Sequence, residues 1–353
     1  MRILALVSVF LPHIGGVERH VYNVGRELTA RDHQVTIITT QHRADLAEHE
    51  VMDGMDVWRM SISGAEGNTR LAIWSWLWRH RDLIAEANVV HCHDSGTLIA
   101  WYLPFRFIYF AKPVYLTFHG FEEFPLRRKT IWFRKLAERL AWGNICIGHY
   151  IGKWYGTKPS FVIYGGVDLP IEASNQPVKS DAIFVGRLEE DTGVLEYLDA
   201  MRIVKAKHGI NLKLELCGDG ALRAEIQRRV IQSGLDVNLH GSVENPQDYL
   251  RRGRYAFVSG YLAILEAMIN KRLVFAIYSN PLKRDYLLMM PGAESMMVVA
   301  GSAEELAEKL AYYRWHPEQT AWLIENAYQW AKEQTWAKVA DTYLALYKRK
   351  GDG

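Results

Sequence analysis

The sequence predicts an α/β protein of two Rossmann-like, doubly wound parallel-sheet domains facing one another across a cleft. Three observations predict it. Short β-branched runs alternate with longer amphipathic ones along the chain. The β-branched runs are mostly continuous rather than alternating, which suits parallel strands covered on both faces. The length of 353 residues is a little over twice the ~150 of a typical domain.

The elements follow in order. Strands are expected at residues 3–9, 35–39, 89–91, 114–118, 144–147 and 161–164. A second series is expected at 182–185, 212–217, 237–240, 255–259, 273–277 and 296–299. Between them the period changes. Val17, Val21, Val24 and Leu28 lie on one helical stripe, as do Val194, Leu198 and Met201. Such strand–helix alternation implies right-handed crossovers and parallel sheets. Residues 169–177 lack periodicity and carry Pro170 and Pro177. This predicts a first domain at 1–168, a linker at 169–180 and a second domain at 181–330. The aromatic C-terminal segment 331–353 is expected to be helical, capping the second domain or packing back on the first.

Composition narrows the function. Hydrophobic residues are 49% and charged residues 23%, a globular balance. Lys+Arg 42 against Asp+Glu 40 leaves +2, which argues against a nucleic-acid partner. Cys92, Cys146 and Cys217 form no CxxC pair, which argues against a disulfide framework or zinc site and for a reducing compartment. The first ten residues have the apolar look of a signal peptide, but no small-residue cleavage site follows, and they read as a buried strand. The most apolar internal stretch, 97–111, is interrupted by Pro104 and Arg106 and is too short to span a bilayer.

Four strand ends carry chemistry. Gly15-Gly16 joins a strand to a helix, permitting a tight turn and close approach of an anion to the helix N-terminus. Gly186-Arg187-Leu188 places a guanidinium at a strand end, a natural phosphate clamp, although surface arginines more often form salt bridges. Ser259-Gly260-Tyr261 opens a helix bearing Glu266 among Leu265, Ala267 and Met268. A carboxylate in such company needs a partner, and ribose hydroxyls would serve. Thr117-Phe118-His119-Gly120 places an imidazole that is either structural or a donor to a sugar hydroxyl.

Taken as an ordered set, these segments resemble the GT-B glycosyltransferases, specifically the retaining family 4. Gly15-Gly16-Val17-Glu18-Arg19-His20 resembles that family's opening loop. Tyr164-Gly165-Gly166-Val167-Asp168 is similar to its "NGVD" turn. Gly186-Arg187-Leu188, Gly218-Asp219-Gly220 and Leu265-Glu266-Ala267-Met268 match "GRL", "GDG" and "LEAM". The resemblance implies that Arg187 binds the diphosphate of a UDP- or GDP-sugar and that Glu266 holds its ribose. It implies that backbone at Ser259, Gly260, Tyr261, Leu262 and Ala263 cradles phosphate and sugar. Gly186 and Gly218 would line the donor site, Gly241, Ser242 and Val243 would meet the base, and His119 would sit by the transferred sugar. Gly15 and Gly16 would leave room for diphosphate and acceptor.

Two departures stand out. Thr192 occupies the position where the family has Lys before the glycine, with Lys283 or Arg284 as candidate replacements. Ser259 stands where the family commonly has Glu. No DxD sequence stands near the motifs, so no metal or other cofactor is expected.

The acceptor is expected to be a glycan or lipid-linked glycan. Residues 125–142 carry six basic side chains and one acidic, with Ile131, Phe133, Leu136 and Leu140 on a helical stripe. Basic helices with Trp rest on anionic lipid, so Arg127, Arg128, Lys129 and Trp132 are candidate membrane contacts, with Glu18 on the acceptor side. Trp74, Trp76, Trp78 and the cluster Phe105-Arg106-Phe107 extend this reading. The expected location is cytoplasmic, on the inner face of the membrane, in polysaccharide, lipopolysaccharide or glycolipid synthesis. The alternatives are a non-catalytic protein of the same fold, which Thr192 and Ser259 would favour, and another cleft enzyme such as a sugar-phosphate epimerase.

Overall fold

The structure, a computed structural model, describes residues 1–62, 69–120, 124–169 and 178–349. The chain divides into two compact units, Met1–Ile163 with the C-terminal segment from Trp336, and Tyr164–Thr335.

The first unit holds β1 (Arg2–Leu6), β2 (Gln34–Thr40), β3 (His49–Met52), β4 (Met55–Met60), β5 (Val89–His93), β6 (Val114–Phe118), β7 (Gly143–Ile147) and β8 (Phe161–Ile163). Their order is β3-β4-β2-β1-β5-β6-β7-β8. All pairings are parallel except that of β3 with β4. Every residue of β5 and of β6 is buried, as suits strands covered on both faces, with His91, His93 and Thr117 among their apolar residues. The run at the start of the chain is thus the strand between β2 and β5.

The hairpin β3–β4 was not among the expected strands. Asp53 (φ 48°) and Gly54 (φ 79°) form its two-residue turn. Positive φ at both central residues is the turn that Asp-Gly favours and that matches strand twist.

The helix Trp336–Lys348 packs on the helix Gly16–Thr29 within this unit. Arg31 Nη1 meets Asp341 Oδ1 at 2.6 Å, and His20 Nε2 lies 2.9 Å from Tyr343 Oη. The expected first-domain boundary at 168 is corrected to Ile163. Tyr164 donates to the Met289 carbonyl, and Val167 bridges to Thr335, so these residues join the second unit. The helix Pro317–Lys332 also belongs there. Of the expected linker, residues 170–177 lie outside the described residues.

The second unit holds β9 (Ser180–Val185), β10 (Lys213–Cys217), β11 (Asp236–Gly241), β12 (Gly253–Phe257), β13 (Leu273–Ile277) and β14 (Val298–Ala300). Their order is β11-β10-β9-β12-β13-β14, all parallel. Phe184, Tyr197, Phe257 and Phe275 centre its core, with Tyr197 stacked on Phe257 at 4.8 Å. Each such aromatic ring contributes about 1.5–3 kcal/mol through burial alone. Among the described residues, no helix is long and apolar enough to cross a membrane.

Candidate functional site

Ligands of doubly wound sheets bind beyond the carboxyl ends of the strands, where the strand order reverses. In the second unit that reversal lies between β9 and β12. Arg187 follows β9 and Ser259-Gly260 follows β12, so two predicted segments stand on either side of it.

Backbone interlocks the turns. Gly186 N–H donates to the Cys217 carbonyl, Leu188 N–H to that of Asp219 at 2.9 Å, and Gly218 N–H to that of Gly241 at 2.8 Å. A Cβ on Gly218 would stand 1.8 Å from the Gly186 carbonyl oxygen. Only glycine fits such a close approach of two backbones. Gly218→Ala is therefore expected to cost about 1–3 kcal/mol through forced backbone displacement, read as a lower melting temperature of the full chain. Gly241 adopts φ 71°, Ser242 is exposed and Val243 half-buried beside it.

Arg187 is at its expected strand end, but its side chain is 63% exposed and its guanidinium pairs with Asp191 at 3.0 Å. An exposed pair of this kind is worth about 0–1 kcal/mol, so a diphosphate can displace Asp191 cheaply. Thr192 is turned into its own turn, its hydroxyl donating to the Glu189 carbonyl at 2.7 Å.

At Ser259 and Tyr261, where the expectation concerns the backbone, both side chains are turned inward. Ser259 Oγ is turned inward, 2.8 Å from Tyr197 Oη and accepting from Ile277 N–H, so it is a strut between neighbouring strands. Tyr261 is buried, its ring stacked on Tyr286 at 3.9 Å, and its N–H donates to Tyr286 Oη at 2.8 Å. That helix N–H is already used. Gly260 has open space where a side chain would stand, and Leu262 and Ala263 are half-buried in the helix's first turn. Glu266 sits on that helix, buried among Leu265, Ala267 and Met268.

The first unit reverses its strand order between β1 and β5. Gly15 caps the helix Gly16–Thr29 and Gly16 borders open space. Glu18 is buried, folded back over Gly15 and 3.2 Å from His13 Nδ1. It belongs to this loop and not to an outward face.

His119, just past β6, belongs to a cluster the sequence did not reveal. Its Nε2 lies 2.9 Å from His93 Nδ1, its N–H donates to Asp94 Oδ1, and its ring centre is 4.9 Å from that of His20. His91 continues the network through Thr117 Oγ1 at 2.7 Å and Tyr347 Oη at 3.0 Å. Thr117 meets Tyr343, which meets His20. Burial drives His20 down to about 3. It also holds His91, His93 and His119 well below the ordinary imidazole range, with neighbouring imidazoles adding to the effect. These rings are held neutral at pH 7, so His119 offers hydrogen-bonding nitrogens rather than a positive charge.

The basic helix Arg128–Leu140 is corrected in its facing. Ile131, Phe133, Leu136 and Leu140 are half-buried, and Arg134 is only 2% exposed, its guanidinium 4.0 Å above the Tyr155 ring. The outward face is Arg128, Lys129, Trp132, Lys135 and Arg139, with Arg127 exposed just before it. Of the three neighbouring tryptophans, Trp76 is buried, Trp74 half-buried and Trp78 exposed.

Comparison with known proteins places the chain in a family. The family described as Glycosyltransferase Family 4 matches residues 14–170, and that described as Glycosyl transferases group 1 matches residues 179–313. The GDP-mannose:cellobiosyl-diphosphopolyprenol alpha-mannosyltransferase of Xanthomonas campestris is 27% identical over 271 residues, 71% of this chain and 69% of that protein. Sucrose-phosphate synthase from Thermosynechococcus elongatus superposes with a TM-score of 0.78 at 17% identity, over 98% of each chain. HepE of Anabaena, solved with UDP, gives 0.70 at 16% identity, over 98% of each chain. Spanned from residue 14 to residue 313 by these two matches, the chain belongs to the GT-B glycosyltransferases of family 4, group 1.

Proposed function

We propose that this glycosyltransferase moves a hexosyl or N-acetylhexosaminyl group from a UDP- or GDP-sugar to a lipid-linked glycan, with retention, in the synthesis of a cell-surface polysaccharide, lipopolysaccharide or glycolipid. One observation carries the donor half. Interlocked glycine turns, the Arg187 guanidinium and the first turn of the helix Tyr261–Ile269 meet the strand-order reversal of the second unit. When the bond from the sugar's anomeric carbon to the diphosphate oxygen breaks, negative charge grows on the diphosphate. Arg187 and helix N–H groups stabilise that charge, and Glu266 accepts hydrogen bonds from the ribose. His119, neutral, donates to or accepts from a sugar hydroxyl.

The acceptor half is supported by the Xanthomonas relative, whose name gives a polyprenyl diphosphate-linked acceptor and GDP-mannose as donor. HepE, solved with UDP, leaves the base open. The face Arg128, Lys129, Trp132, Lys135 and Arg139 is suited to anionic lipid headgroups at the cytoplasmic surface.

The test is turnover of a panel of UDP- and GDP-sugars with a polyprenyl diphosphate-linked glycan, followed by mass spectrometry and by NMR of the new linkage. Transfer with an unchanged anomeric configuration is the expected result. Failure of every donor to bind or react overturns the reading. In flotation with anionic vesicles at low salt, the chain is expected to co-float, and Trp132→Ser with Arg128→Glu to weaken this severalfold. A wild-type chain that stays at the bottom removes the membrane contact but leaves the donor site standing.

A further inference from the structure

Two consecutive residues where β5 ends hold His119, just past the end of β6. His93 is buried, and its Nδ1 lies 2.9 Å from His119 Nε2. Asp94 takes the backbone of the same residue, its Oδ1 accepting from the His119 N–H at 3.0 Å. Asp94 does so from the left-handed region, at φ 68°. A non-glycine residue there carries a conformational cost that persists only where the surrounding structure enforces it. Part of that enforcement is Thr97, which opens the π-helical turn Thr97–Tyr102. Its hydroxyl is shared between the His93 carbonyl at 2.8 Å and the Asp94 carbonyl at 2.9 Å. Isolated π turns are rare and concentrate at functional sites. Both imidazoles are held neutral by burial, and a neutral imidazole has one N–H and one bare nitrogen. One nitrogen of the His93–His119 contact therefore donates and the other accepts. His119 Nδ1 then takes the role opposite to that of its Nε2. His119 itself is half-buried, and Gly120 beside it borders open space.

We propose that His93 and Asp94 are positioning residues for His119, His93 fixing the orientation and tautomer of its ring and Asp94 fixing its backbone, so that Nδ1 meets the sugar hydroxyl in one defined state. The proposal rests on the reading above that His119 touches a sugar hydroxyl, and both residues act through His119. A ring free to flip or to change tautomer presents a donor, an acceptor or a carbon to the sugar in turn. Each wrong presentation lowers the fraction of bound substrate in reacting geometry. Packing alone asks only for volume at position 93, whereas the paired imidazoles ask for a nitrogen where Nδ1 stands. That difference is measurable.

The first arm of the experiment needs no substrate. It is NMR of the full chain with isotope-labelled histidine nitrogens at pH 7, the His119 signals being those lost in His119→Ala. Wild type is expected to show His119 as a single neutral tautomer, and His93→Leu an averaged mixture. The second arm is steady-state kinetics with the donor and lipid-linked acceptor that react in the panel above, with a melting temperature for each variant. His93→Leu is expected to lower kcat about 10- to 100-fold, the scale of a misplaced contact at the reacting centre, with KM for the donor changed far less. His93→Asn sets an amide where Nδ1 stood and is expected to recover most of that loss. Asp94→Gly keeps the left-handed backbone without the carboxylate. It is expected to lower kcat in the same way, and it carries the test if His93→Leu does not fold. Asp94→Asn keeps an acceptor and tolerates that backbone, and is expected to stay near wild type. Three results overturn the proposal: equal impairment of His93→Leu and His93→Asn, a mixed His119 tautomer in wild type, or unchanged kcat in His93→Leu and Asp94→Gly where His119→Ala has lost it. Full activity of His119→Ala overturns instead the reading that His119 meets the sugar.

Discussion

Acidification from pH 7 to pH 5 is expected to unfold the first unit. His20, His91, His93 and His119 are buried in one network and held neutral there. In the unfolded chain each takes up a proton near its ordinary value of 6.5. Below that pH the unfolded state binds more protons than the folded state, so stability rises with pH and is lost as pH falls. It is fully present above about 6.5 and declines below, because the folded rings stay neutral while the unfolded ones take up protons. Four such groups protonate in the unfolded chain and not in the folded one, so the loss is large against the marginal stability of a typical domain. Asp94 accepts from the His119 backbone N–H, whereas Arg134 opposes a charge on His119. Calorimetric melts from pH 5 to 8 measure the slope, and hydrogen exchange in β5 and β6 localises it. His93→Gln is expected to reduce the slope by about a quarter. A melting temperature independent of pH between 7 and 5 would contradict the neutral cluster.

That cluster marks where sequence reading stops. His20, His91, His93 and His119 lie in separate segments, and nothing local joins them. Register does, by pairing His91 with Tyr115 and His93 with Thr117. Packing of the C-terminal helix then adds Tyr343 and Tyr347. These are long-range consequences of one strand alignment. The strands themselves were legible because burial on both faces writes a mostly continuous apolar run, as in Leu273–Ile277. The hairpin β3–β4 was missed because an edge strand such as His49–Met52 alternates half-buried with exposed residues and carries charge. Its Asp53-Gly54 turn was the available signal.

The donor side shows the same division. Glycine turns announce themselves, since close backbone approach admits no side chain at Gly218. Side-chain direction does not. Ser259 follows a buried strand and points inward because Tyr197 and the Ile277 N–H claim its hydroxyl. Arg134 was counted with its basic neighbours, yet the rings of Phe118 and Tyr155 and the Gly120 carbonyl hold it inside the fold. A run of like charges in sequence says nothing about which member a helix turns inward.

Replacing Glu266 is expected to remove most activity while sparing the fold. The carboxylate is 3% exposed, on a helix whose placement rests on apolar packing by Ile264, Leu265 and Met268. Gln fills the same volume as Glu, so the packing of the helix is expected to survive the change. Activity should not. A hydrogen bond from a ribose hydroxyl to a charged acceptor is worth about 1.5–3 kcal/mol, so Glu266→Gln is expected to lower kcat/KM by about 10- to 100-fold. Glu266→Ala loses that bond and also leaves a cavity. The assignment is tested by pairing protein and ligand changes. Donors lacking the ribose 2′- or 3′-hydroxyl should be poor substrates of wild type, and for Glu266→Ala one of them should match the intact donor. Such coupling isolates the contact from any general loosening of the helix. If Glu266→Ala slows intact and deoxy donors by the same factor, the carboxylate serves the fold and not the ribose.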